Sequence, residues 1–139
     1  MLQKMIADCE SIGKGLGEFL EFKREKFPRL YFLSNEEIVE IFGLDKLVNA
    51  SKGTKEAPRR TFIANLFEGV ETLKFRDADL AITGLKSKEG EEMTLIRPVP
   101  TENNPPDVWL MNLDQQMANS LRFNILSAYA TFNKDTDFN

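Results

Sequence analysis

Apolar residues recur at spacings of three and four from Leu2 through Met5, Cys9, Ile12 and Leu16 to Phe19. That rhythm predicts a long helix over about residues 2–25, with its apolar seam on one side. Gly13, Gly15 and Gly17 fall in its middle, and each costs a helix up to about 1 kcal/mol relative to alanine. Such a helix needs a packing partner, and the glycines would admit close approach by a neighbouring helix. So few heptads suit packing within a helical bundle better than a coiled coil. Pro28 lacks a backbone donor and pushes Phe27 out of helical geometry, which ends the first helix there. Phe27 to Leu33 then reads as an apolar extended segment. Ser34 with Glu37 three residues on forms a capping box, and Leu33 and Ile38 stand where a hydrophobic staple needs them. Ile38, Ile41 and Phe42 give the second helix one apolar face, with Gly43 as its stop.

Leu44 to Ala50 adds a short helical turn, and Ser51 to Glu56 is a polar loop. Pro58 suits the first turn of a third helix, whose face is Phe62, Ile63, Leu66 and Phe67 and whose end is capped by Gly69. Between Glu71 and Pro100 the period changes to alternation. Leu73 and Phe75 flank Lys74, a turn falls near Asp77-Ala78-Asp79 before Ala81-Ile82-Thr83, and Lys88-Glu89-Gly90 makes a hairpin turn before Met93, Leu95 and Arg97. These residues predict two or three antiparallel strands, a sheet that is marginal alone and must rest on helices. Pro105 and Pro106 fix the loop from Thr101 to Asp107. A last long helix follows from Asp107 to Asn133, with Val108, Leu110 or Met111, Leu113, Met117, Leu121, Ile125 and Ala128 on its buried side and a frayed tail from Asp135 to Asn139. The expected fold class is mainly α. It is a helical bundle segment with long first and last helices, and a small antiparallel β-hairpin or three-stranded sheet between them. Residues 1–139 form a single domain, helical over 1–70, β over 71–100 and helical again over 107–133.

Charge and composition narrow the function more than they suggest one. The net charge of −4 leaves no basic field for nucleic acid. The absence of histidine removes the commonest general base and the commonest metal ligand. Cys9, the only cysteine, permits no internal disulfide and no thiolate zinc site, and it has no histidine to activate it as a nucleophile. No stretch is apolar enough for a membrane span and no signal peptide is expected, so the chain reads as soluble and intracellular. Gly13-Lys14-Gly15-Leu16-Gly17 lacks the spacing of a phosphate loop. Glu36, Glu37 and Glu40 sit at a helix start, where the dipole favours acids. Glu89, Glu91 and Glu92 decorate the hairpin tip as a solvated cluster or a docking contact. Lys23, Arg24, Lys26 and Arg29 interleave with Glu18, Glu21 and Glu25, so ion pairs are favoured over nucleic-acid binding. Trp109 reads as a core anchor for the Pro105-Pro106 turn. The 11 phenylalanines, against 2 tyrosines, suit cores and surfaces between packed helices. No catalytic residue, cofactor site or metal site is expected.

Four blocks, in order from Ile12 to Arg122, resemble the linker region of dynein heavy chains, the element before the AAA+ motor ring. Lys23, Arg24, Phe27, Pro28, Arg29, Tyr31, Phe32 and Ser34 are similar to its K-R-x-x-F-P-R-x-Y-F-x-S signature. Leu66 to Phe75 resembles L-F-E-G-I-x-x-L-x-F, and Ile82 to Glu92 resembles I-T-G-M-x-S-x-E-G-E. Val108-Trp109-Leu110 with Leu113 to Arg122 is similar to the block that follows. Leu44 to Arg60 and the Asn-Asn-Pro-Pro loop between Pro100 and Asp107 depart from the pattern. The resemblance implies a mechanical element that bends and straightens over the ring as the ring hydrolyses ATP. It implies the rest of the heavy chain as partner, microtubules only indirectly, no nucleic acid or membrane, and a place in the cytoplasm, the cytoskeleton or an axoneme. The hairpin from Lys86 to Met93 and the loop from Ser51 to Glu56 are the expected contact surfaces, and the isolated chain is expected to self-associate. The alternative is a stand-alone helical scaffold that binds a protein partner.

Overall fold

The computed structural model describes residues 1–48, 57–76 and 78–136. The elements run α1 (Leu2–Lys26), a 3-10 turn (Pro28–Phe32), α2 (Asn35–Val48), α3 (Ala57–Leu66), β1 (Val70–Phe75), β2 (Ile82–Ser87), β3 (Glu92–Val99) and α4 (Pro106–Thr136). The chain is thus mainly helical, with long first and last helices and a three-stranded antiparallel sheet between them. It divides into two compact units, Met1–Leu66 and Phe67–Asn139.

In the first unit, α1 stops where Pro28 requires it. Phe27 is extended (φ −133°, ψ 91°), and its N–H still reaches the Lys23 carbonyl at 3.0 Å. The residues after it are not extended, contrary to the sequence expectation. The fixed φ of proline suits the first position of a helix, and i→i+3 bonds close a 3-10 turn, Leu30 N–H to Phe27 O at 2.9 Å and Leu33 N–H to Leu30 O at 3.1 Å. The three-residue repeat puts Phe27, Leu30 and Leu33 on one side, and all three are buried. Two arginines bind backbone carbonyls around this turn: Arg24 donates to the Leu33 carbonyl and Arg29 to that of Leu66, the last residue of α3, each at 3.1 Å. An end carbonyl of α3, which has no partner within the helix, is satisfied that way.

The capping box forms as the sequence requires. Ser34 N–H donates to the Glu37 carboxylate at 2.8 Å, and Glu37 N–H donates to Ser34 Oγ at 3.2 Å. Replacing Ser34 by alanine is expected to cost the first unit about 0.5–2 kcal/mol, measurable as a lowered urea midpoint. Gly43 does not stop α2, which continues to Val48. Among the described residues only Gly69 and Gly90 are glycines with positive φ, so Gly43 never takes the left-handed turn that would end the helix. Ile38, Ile41, Leu20, Phe62, Ile63 and Leu66 complete the buried apolar set among the described residues of this unit. Pro58 lies in the first turn of α3, as expected. The loop expected at Ser51 to Glu56 falls outside the described residues.

In the second unit, Gly69 (φ +85°) turns the chain into β1, and the Val70 N–H closes that turn on the Phe67 carbonyl at 3.1 Å. The sheet order is β1-β2-β3. Gly84 on the central strand pairs with Lys74 on one side and Thr94 on the other. The expected hairpin turn is present, with Gly90 at φ +90° and its N–H on the Ser87 carbonyl at 3.1 Å. Ile82, Leu85, Leu95, Val99, Trp109, Leu110 and Leu113 are buried, and α4 packs along β3. The step from Ile82 to Gly84 on β2 is matched by Thr94 to Val99 on β3, so β3 bulges away from its neighbour. There the Ile96 N–H donates to the hydroxyl of fully buried Ser120 on α4, at 3.0 Å. Trp109 is buried, as a core role requires, and its backbone N–H closes the first turn of α4 on the Pro105 carbonyl at 3.1 Å.

The buried side of α4 is shorter than its sequence pattern. Leu110 and Leu113 are fully buried and Met117 partly so, while Val108, Met111, Leu121, Ile125 and Ala128 are exposed. The geometry explains it. A helix rising 1.5 Å per residue spans about 46 Å over Pro106–Thr136, whereas the eight-residue β3 reaches only about 26 Å. The sheet covers the first half of α4 and runs out before Leu121, Ile125 and Ala128; Val108 and Met111 lie within that half but on its exposed side.

Candidate interaction surfaces

On α1 the seam foreseen from the sequence exists, and it is bare. Leu2, Met5, Ile12, Leu16, Phe19 and Cys9 are all exposed, Ile12 by 70 %. A methyl group built on Gly13, Gly15 or Gly17 meets nothing within 4 Å, so among the described residues no helix uses the close approach these glycines allow. Among the described residues the seam meets a partner ring at its C-terminal end, where Phe42 of α2 meets Phe19 edge to face with ring centroids 5.8 Å apart. Lys23 Nζ lies over both rings, 5.4 Å from the Phe19 centroid and 4.9 Å from that of Phe42.

Aromatic rings and backbone carbonyls are among the partners of the basic cluster. Arg24 lies 5.9 Å from the centroid of Tyr31, and Lys26 lies 4.7 Å from that of Phe22. The Tyr31 hydroxyl donates to Glu21 at 2.6 Å, and that hydrogen bond raises the phenol above its ordinary range. The charge-spacing argument alone did not reveal these ring contacts, although Lys23 stands four residues after Phe19 and Lys26 four after Phe22.

A second exposed apolar surface lies on α4 beyond Ser120, where Leu121, Phe123, Ile125, Leu126, Tyr129 and Phe132 are all exposed. The hairpin, expected to carry three solvated acids, presents Glu89 and Glu91 at its exposed tip. Glu92 is tied back to Lys74 across the sheet, and that hydrogen bond holds its carboxyl below the usual range. At the β1–β2 turn, Arg76 forms a paired contact with Asp79, whose Oδ1 also accepts the Ala81 N–H at 3.2 Å. The Arg76 hydrogen bond dominates and lowers Asp79 to about 2. With its folded pKa depressed, this contact contributes stability above the ordinary carboxylate range and loses it as pH falls from there through about 2. A carboxyl-resolved NMR titration is expected to place the Asp79 midpoint near that value, and Arg76→Ala to return it to the ordinary range.

Among the described residues, no group of three or more His, Cys, Asp or Glu could hold a metal ion, and no helix is long and apolar enough to cross a membrane. The exposed surfaces described above are apolar helix faces and a charged hairpin, chemistry that can pack against protein.

Comparison with known proteins gives these faces a context. The family model described as "Dynein heavy chain, N-terminal region 2" matches residues 1–128. The chain is 30 % identical over 135 residues to the cytoplasmic dynein heavy chain of Caenorhabditis elegans, covering 96 % of this chain and 3 % of that one. It is 34 % identical over 130 residues to the cytoplasmic dynein heavy chain of Drosophila melanogaster, 93 % of this chain and 2 % of that one. It is 36 % identical over 120 residues to human dynein axonemal heavy chain 1, 84 % of this chain and 3 % of that one. The chain therefore spans only about 2–3 % of the length of these relatives.

Proposed function

Because the chain belongs to the dynein heavy chain family, we propose that it serves as a segment of the motor's linker, a lever that bends and straightens over the AAA+ ring. In this reading ATP is hydrolysed by the ring, outside these residues, and the segment transmits force through packed helix faces. Its partners are the neighbouring linker helices and the ring, microtubules are reached only through the rest of the motor, and it works in the cytoplasm, on the cytoskeleton or in an axoneme. The observation that supports the reading best is the bare seam of α1. A helix weakened by three glycines, with Leu2, Met5, Ile12 and Leu16 in water, is a component built for a larger packed body. The exposed acids of the hairpin tip, Glu89 and Glu91, are a second surface for such contacts.

The test compares the intact motor with the isolated chain. In the full heavy chain, Ile12→Glu with Leu16→Glu is expected to slow microtubule gliding several-fold, because buried carboxylates would replace apolar contacts. In the isolated chain both side chains are exposed, so the same pair is expected to change stability by no more than about 0.5 kcal/mol per site. The wild-type chain is expected to self-associate through this seam, and the pair should abolish that, with sedimentation velocity as the measurement. Unchanged gliding and unchanged linker docking in the full motor would sink the lever reading and favour a scaffold module.

A further inference from the structure

We draw no further inference here: the strongest candidate, the bare apolar seam of α1 from Met5 to Leu16 with the adjoining Gly13 and Gly17, is an unpartnered helix face, and nothing in the structure shows what covers it.

Discussion

Leu110→Ala is expected to cost the second unit about 2–5 kcal/mol, because Leu110 is fully buried and its removal leaves a cavity that β3 and α4 can only partly close. Ile125→Ala, fifteen residues along the same helix and 67 % exposed, is expected to cost no more than about 0.5 kcal/mol in the isolated chain. Trp109 is the only tryptophan and lies buried one residue before Leu110, so its fluorescence during urea unfolding reports on this unit directly. Equal losses at the two positions would show that the far half of α4 is packed in solution. The comparison gains force in the intact motor. If the lever reading holds, Ile125 is covered there, and its truncation acquires a cost that the isolated chain does not show.

Gly84→Val is expected to destabilise the second unit by about 1–3 kcal/mol, with Gly84→Ala on the same side and smaller. A Cβ at this position would stand 2.7 Å from the Met93 carbonyl oxygen, with the Thr94 Cα at 3.6 Å. Both obstacles are backbone of the neighbouring strand, which cannot swing aside as a side chain could. Gly13→Ala supplies the opposite sign. Its added methyl meets nothing within 4 Å, and it removes backbone freedom from the unfolded chain. In the isolated protein it is expected to gain about 0.4–1 kcal/mol. Thermal unfolding of the two variants side by side checks both, and a stabilised Gly84→Ala would contradict the close strand approach.

Much of this architecture was legible because it is written in local chemistry. Ser34 and Glu37 hold both halves of their capping box within four residues, so spacing alone located the start of α2. Gly90 at the hairpin turn and Pro58 in the first turn of α3 are equally local. Pro28 was ambiguous: its fixed φ fits an extended segment and a helix start alike, and the buried repeat of Phe27, Leu30 and Leu33 decided for the 3-10 turn. Gly43 resembles a helix stop in sequence and is not one, since glycine permits a left-handed turn without imposing it.

The apolar rhythm of α4 was read correctly as a face and wrongly as a buried one beyond Ser120. Periodicity tells which side of a helix is apolar, but not how far its partner extends. Ser120 itself carries no signal in sequence, because its value lies in an unpaired strand N–H twenty-four residues away. On the candidate surfaces, the seam of α1 was visible from the spacing of Met5, Ile12 and Leu16, whereas the rings under Lys23 required Phe42 from another helix.

The hydrogen bond between Ser120 and Ile96 has a mechanical consequence. Toward its N-terminus, α4 is gripped by the buried Leu110 and Leu113, and Ser120 adds a contact that resists sliding along the helix axis. Past it, residues 121–133 are exposed, so that stretch acts as a cantilever roughly 20 Å long at 1.5 Å per residue. A sideways load at its tip would exert its greatest torque at the clamped root, so the sheet would feel the strain first at Ser120.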